Sequence, residues 1–419
     1  QAAWTRLAEL TDRYPNRLAG TANLDHAIAW GRDLMIRDGL ENVRVEEVMV
    51  PHWVRGAEQG AITAPYPQPI AIATLGGSVG TAPDGLEAPV LVVRSFEELD
   101  ARASEAHGRI VLFNVPFDET MEPLDAYRAI SQYRGGGAAR AAAHGAVGMM
   151  VRSTGPIGHR TPHTGGMRYP EGVTRIPAVG VSGEDAELLQ RMQDRGEPAT
   201  VRLALGAHQL PDVPSGNVIG ELVGRERPDE VVVIACHIDS WDISPGAMDD
   251  GGGCVAVMEA ARILKALDLR PRRTVRVVLF TNEENGLRGG QAYLERYRGD
   301  LDRHVLVMET DSGVLPINGY SFVGSDAGRE VVADIIGLLA PLGGTGVNDR
   351  LSGSDLFPII RAGDVPALSL DVDRRRYFYL HHTAADTVDK VVPSELAGVI
   401  AALASIAYVA ADLPEPLPR

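Results

Sequence analysis

Apolar positions recur at helical spacing from the start of the chain. Leu7, Leu10, Ile28, Leu34 and Ile36 mark the buried face of helices over the first forty residues, broken at Tyr14-Pro15-Asn16 and ended at Gly39. Residues 43–50 alternate as a strand does, and Pro51 closes it. From about Gly56 the pattern shifts to Pro- and Gly-rich short strands and turns over 60–80. Buried-strand runs follow at 88–93 and 109–113, then an Ala-rich helix at 138–143 and strands at 147–151 and 176–181. A helix at 184–193 and a strand at 201–205 end this region. It is a block of about 150 residues, the size of a domain.

From Ser215 the pattern becomes cleaner. Val231-Val232-Val233-Ile234-Ala235 is a continuous apolar run, as in a strand buried on both faces. Further strands are predicted at 274–280, 305–308 and 366–370. Helical spacing covers 254–267, 290–297, 327–339 and 394–407. Strands alternating with helices predict an α/β domain with a mostly parallel sheet. The expected organisation is two domains: 1–57 joined with 206–419, and 58–205 inserted between them.

Composition narrows the partners. The 419 residues are 45% hydrophobic and 23% charged with a formal net charge of −16. That profile is globular, and its sign argues against binding nucleic acid or an anionic membrane. No apolar run reaches the ~18 residues of a membrane span. The two cysteines, Cys236 and Cys254, lie in apolar surroundings and are expected as buried free thiols. The chain starts Gln1-Ala2-Ala3 without Met, which fits export after removal of a leader, or a trimmed chain.

Ligands of open α/β sheets bind beyond the carboxyl ends of the strands. After the first strand of the clean region come His237 and Asp239, after the second Glu283 and Glu284, and after the third Asp311. His381 and His382 follow the fourth, and Asp249 and Asp250 open the helix after the first. Singly, each has an ordinary explanation: Asp249 as an N-cap, His237 as a bonded core histidine. Together they deliver imidazole and carboxylate to one sheet edge. A mixed N/O set without thiolate suits Zn²⁺, with Co²⁺ or Mn²⁺ also chemically acceptable. Five such ligands exceed one catalytic zinc and suit two ions ~3.5–4 Å apart that share a carboxylate.

His237-Ile-Asp239-Ser240, Gly246-Ala-Met-Asp249-Asp250-Gly251, Asn282-Glu283-Glu284-x-Gly286-Leu287, Asp311-Ser-Gly313 and His381-His382-Thr383-x-x-Asp386-Thr387 resemble the motif series of the M28 family of di-zinc exopeptidases. Residues 50–56 and 377–382 are similar to its carboxypeptidase Q subgroup. The resemblance spans nearly the whole chain. It implies a zinc-exopeptidase (phosphorylase/hydrolase-like) three-layer αβα domain with a mostly parallel sheet, and an inserted β-rich α+β protease-associated domain. It implies two Zn²⁺ per chain: His237 and Asp311 on one, Glu284 and His382 on the other, Asp249 bridging. Glu283 becomes the general base and Asp239 the residue that orients His237. Asp250 is read as structural. His382 is preferred to His381 because it precedes Thr383.

The implied reaction is hydrolysis of dipeptides or short peptides by a metal-activated water. Aminopeptidase action on longer peptides is one alternative. A single-zinc acyltransferase of the glutaminyl-cyclase kind is another, and the full ligand set argues against it. A non-catalytic binding module sharing the fold would have lost ligands, and none is lost here. Arg374-Arg375-Arg376 is read as a solvated basic turn in preference to a substrate-carboxylate site. Ser352, Ser354 and Asp355 are possible pocket residues without assigned roles. A peptide substrate, no nucleic acid, no membrane span and a homodimer common among relatives complete the expected partners.

Overall fold

Four parallel strands form the centre of the first sheet. Arg227–His237 lies between Arg273–Phe280 and His304–Glu309, and Ala367–Val372 pairs beyond the latter. Their Val, Ile and Leu runs are buried on both faces, as a strand covered by helices on either side requires. Val231, Val233 and Ala235 pack with Phe280, Tyr293 and Ile359 under the helices Arg288–Tyr297 and Phe357–Gly363. The opposite face carries Gly252–Ala266 and Pro393–Asp412. Fully burying each large aliphatic side chain contributes about 1.5–3 kcal/mol.

The computed structural model describes residues 2–419. The chain divides into two units: 1–50, 212–377 and 386–419 in the first, and 51–211 with 378–385 in the second. In the first, the strands His208–Leu222 and Ile317–Val323 flank the parallel core antiparallel to it. Sequence pattern missed both, because Pro211 and Pro214 interrupt one and Asn318-Gly319 the other. The strand expected to stop at Pro51 runs Glu41–Val54, lying at the sheet edge where a proline's missing N–H is tolerated.

The second unit has its own eight-stranded sheet. Leu86–Val93, Ile110–Phe113, Gly148–Arg152 and Ala178–Val181 run parallel, with antiparallel strands outside them. It is therefore more regularly α/β than its Pro- and Gly-rich stretches suggest. Its helix Pro123–Ala143 is longer than the Ala-rich run, continuing through Gly135-Gly136-Gly137. Gly137 leaves no room for a Cβ, which would meet the Phe113 ring at 2.9 Å.

Two expectations are corrected. Cys236 and Cys254 are disulfide-bonded, not free. The strand end and the first turn of the following helix come together with Cα atoms 5.2 Å apart, inside the span a disulfide bridges. A separation of 18 residues does not reveal that return. The helix Pro393–Asp412 is also long and apolar enough to cross a membrane by length and composition, since only Glu395 and Asp412 interrupt it. More than half of that apolar window is buried, and Leu396, Val399, Leu403 and Ile406 are core residues.

Candidate metal centre

Strand register brings the chemistry together. His237 stands opposite Phe280, and Ala235 opposite Glu309. The residues that leave these strands, Asn282-Glu283-Glu284 and Asp311, therefore start from one edge. Asp249 arrives from the turn Ala247–Gly251 that precedes the long helix.

His237 is buried, and its two ring nitrogens have different surroundings. Nδ1 lies 3.1 Å from the carbonyl oxygen of Asp239, and an oxygen of its carboxylate is 3.7 Å away. A carbonyl only accepts, so Nδ1 carries the proton. Nε2 faces Asp249 Oδ1 at 3.2 Å and Asp311 Oδ1 at 3.6 Å and makes no hydrogen bond. Two carboxylates turned on one ring nitrogen call for positive charge among them, supplied either by a proton on Nε2 or by a cation that Nε2 and the carboxylates share. The ligand atoms of His237, Asp249 and Asp311 all lie within 4.8 Å of one another. Burial disfavours a charged His237, yet Asp239, Asp249 and Asp311 push its pKa well above the usual imidazole value. This donor set fits a divalent cation.

The Asp249 turn is held from elsewhere in the first unit. Asp386 accepts hydrogen bonds from the backbone N–H groups of Met248 (2.7 Å) and Asp249 (3.0 Å). Arg17 is fully buried and donates to the carbonyls of Ile238, Pro245 and Gly246 at 2.8, 2.6 and 3.1 Å. Asp250 turns away from the cluster and accepts from the backbone N–H of His237 at 3.3 Å, as a structural residue does. Nothing in the sequence singled out Arg17. Asp386 was visible only as part of the His-Thr motif.

Asp239 has a second task. Its two carboxylate oxygens accept from the backbone N–H groups of Glu283 (3.1 Å) and Glu284 (3.2 Å), so it holds the turn that presents both glutamates. Its backbone carbonyl is the nearer group to His237. Asn282 and Leu287, at φ 63° and 56°, bracket that turn in the left-handed region. Such strain persists where surroundings over-determine it, which is common at functional sites. Burial raises the carboxyl of Glu283 to about 8, with Asp311, Asp239 and Asp249 adding to the rise. Glu284 is pushed well up by burial and by Asp249. Asp249 and Glu284 have ligand oxygens within 4.8 Å of each other.

His382 lies in the segment 378–385, which groups with the second unit. It also has a left-handed backbone, φ 60°. Within that unit its carbonyl accepts from Thr164 N at 2.9 Å, and Nδ1 is 3.4 Å from Arg134 Nη1. His381 stacks on it and is enclosed by Tyr127 and Phe378. Tyr377 and Asp386, which bracket the segment in sequence, belong to the first unit, and Tyr377 Oη lies 3.5 Å from Asp311 Oδ1. Of the triple-arginine run, Arg374 is buried against Asp371 and Ser312, and Arg376 pairs with Glu395. Carboxylates of the chain itself thus occupy both. Asp355 is buried beside Glu309, which accepts from the backbone N–H groups of residues 354–356.

An acid- and histidine-lined strand edge in a two-sided α/β fold is a candidate metal site of an enzyme. Residues 217–407 match the model of peptidase family M28. The chain belongs to that family and is a metallopeptidase. It is 42% identical over 417 residues to carboxypeptidase Q of Mus musculus and 41% to that of Homo sapiens, covering 100% of this chain and 87% of each relative. A peptidase M28 precursor from Shewanella amazonensis SB2B has a TM-score of 0.96 at 35% identity, covering 100% of this chain and 94% of that one. BSAP, a zinc aminopeptidase from Bacillus subtilis, shares the fold with a TM-score of 0.67 at 20% identity, covering 96% and 93%.

Proposed function

We propose that the protein is a di-zinc exopeptidase that hydrolyses dipeptides or short peptides. The observation that carries this reading is the buried cluster in which His237 Nε2 faces the carboxylates of Asp249 and Asp311, with ligand atoms within 4.8 Å of one another. His237 and Asp311 would hold one zinc and Glu284 and His382 the other, with Asp249 serving both. Its second zinc ligand set rests on the His-Thr motif at His382 and on the bracketing of that segment by Tyr377 and Asp386. When bound, the ions supply an activated water and a Lewis acid for the scissile carbonyl.

Glu283 takes the proton of the attacking water and delivers it to the leaving amine. Its carboxyl is raised in the metal-free protein by burial and by the carboxylates of Asp311, Asp239 and Asp249. Asp239 fixes the Nδ1 proton of His237 and the turn of Glu283, so one residue sets both a ligand and the base. The similarity to carboxypeptidase Q over the full chain supports a peptide substrate. The buried disulfide supports export to an oxidising compartment.

The test is metal analysis joined to a dipeptide panel with free and blocked termini. Two zinc ions per chain are expected, with activity lost on chelation and restored by Zn²⁺. Full activity after verified metal removal excludes the mechanism. One zinc at full occupancy, with cyclisation of N-terminal glutamine, favours the acyltransferase.

A further inference from the structure

We propose that Arg17 is a positioning residue of the metal centre: it spans the loop between His237 and Asp249 and so sets how tightly that pair holds its ion. This role rests on the reading of both residues as zinc ligands.

No strand or helix joins the two. The strand Arg227–His237 ends on one ligand, and the chain is irregular until the turn Ala247–Gly251 that carries the other. Arg17 reaches across this loop from the N-terminal segment. Nε donates at 2.8 Å to the carbonyl of Ile238, directly after His237. Nη1 donates to the carbonyl of Pro245 at 2.6 Å and Nη2 to that of Gly246 at 3.1 Å, shortly before Asp249. Nη1 also meets the carbonyl of Tyr14 at 3.2 Å, which ties the group to its own segment. The backbone adds three bonds. Asn16 N–H donates to the carbonyl of Ser244 at 3.0 Å, Arg17 N–H to Ser240 Oγ at 3.1 Å, and Ser240 N–H to the carbonyl of Arg17 at 3.3 Å. Gly246, at φ 64°, closes the loop on the guanidinium, since a Cβ there would stand 2.9 Å from Arg17 Nη2.

The contacts are those of a brace and not of an ion pair. Every acceptor of the guanidinium is a backbone carbonyl oxygen. Arg152, Arg273 and Arg374 are also buried, and each of them pairs with a carboxylate. Burial lowers the pKa of Arg17 to about 10, against the pull of Asp239 and Asp386, so the group stays charged at neutral pH. A buried charge is tolerated only where hydrogen bonds compensate it. Here those bonds converge on the two ends of one loop. A planar fork of donors can hold both ends at once, whereas an ammonium is a point donor.

The cluster has need of a brace. Asp249 and Asp311 face one ring nitrogen of His237, and their like charges oppose that spacing. Asp386 holds the backbone of Met248 and Asp249, and Arg17 holds the approach to them. A site kept in its bound shape loses less freedom on binding and so binds more tightly. Groups behind the ligands typically govern roughly 10–100-fold in metal affinity.

The experiment equilibrates full-length, zinc-loaded protein with graded concentrations of a colorimetric chelator, which gives zinc dissociation constants without an activity assay. Arg17→Lys keeps the charge and loses the fork, and its tighter zinc site is expected to weaken roughly tenfold or more. Arg273→Lys is the control. Arg273 is fully buried at the start of the strand whose other end, Phe280, stands opposite His237, and it donates to Glu230 and to the carbonyl of Leu413. That variant should lower the urea midpoint and keep zinc affinity within about twofold of the parent. If Arg17→Lys does not fold, Ser240→Ala, which removes the acceptor of Arg17 N–H, is read in its place and should weaken zinc by more than about twofold. Affinity within about twofold of the parent in the variant read overturns the role of Arg17. So does an equal loss in Arg273→Lys, which makes zinc affinity follow overall stability. A parent that holds no zinc overturns the metal-site reading itself.

Discussion

Both units carry parallel strands with buried polar residues at their carboxyl ends, and the two edges are built on opposite principles. In the second unit, Arg152 donates to Asn114 Oδ1 at 3.0 Å and pairs with Glu187, Asn114 donates to Gln190, and Gln190 to Asp194. Ser182 and Arg160 converge on Asp185. Donors and acceptors alternate along this network, and each arginine meets a carboxylate. In the first unit, carboxylates crowd around one imidazole: Asp249, Asp311 and the two glutamates about His237. Topology alone does not make a site. A strand edge whose polar groups satisfy one another is structure, and one whose groups share a single deficiency is a binding site for whatever supplies it.

The largest expected effect lies where the edge is crowded. Glu283→Gln should lower kcat by about 10²–10⁴, the usual contribution of general acid–base catalysis, with both zinc ions retained. Steady-state kinetics beside metal analysis checks it, and near-wild-type turnover removes Glu283 as the base. Stability should respond in the other sense. The folded carboxyl, raised to about 8, lies above its unfolded value near 4.5, so the folded state resists its ionisation. In metal-free protein this acid makes stability fall as pH rises from 4.5 to 8. Glu283→Gln removes that loss, and the metal-free variant should melt above the metal-free parent at pH 8.

That edge was the most legible part of the chain. Short motifs at predicted strand ends carry His237, Asp249, Glu283, Glu284 and Asp311 because metal chemistry restricts residue type at each position. Arg17 stayed hidden because its work is done through backbone carbonyls, which no sequence pattern records. The central strands were legible as unbroken apolar runs. The flanking strands His208–Leu222 and Ile317–Val323 were not, since prolines and glycine break their period.

The balanced edge should fail differently. Arg152→Met leaves the buried Asn114 without its donor and the partly exposed Glu187 without its partner, at a cost of about 1–3 kcal/mol. Urea denaturation reads the loss, and zinc content should not change. A variant as stable as the parent would show that the second edge resembles the first, with groups awaiting a ligand.

The smallest effect separates the two edges by the sign of their pH dependence. His163 in the second unit donates from Nε2 to the carbonyl of Phe378 at 3.2 Å. Burial pulls its pKa down to about 4, against the pull of that carbonyl, and the charge of Arg134 lowers it further. Unfolded, it titrates near 6.5, so the unfolded chain takes up the proton first as pH falls. Its contribution to stability is complete above pH 6.5, declines between 6.5 and 4, and levels off below. The slope is at most about 1.4 kcal/mol per pH unit. His304 in the first unit, also lowered to about 4 by burial, adds a similar slope to any variant that keeps it, so it cancels in a difference. Urea midpoints of the parent and His163→Gln, compared at pH 7 and pH 5, should therefore converge as pH falls. Glu283 acts in the reverse sense, its penalty shrinking toward acid. If the gap between parent and His163→Gln stays constant with pH, His163 is not held neutral by the fold, and the second edge loses its claim to balanced charge.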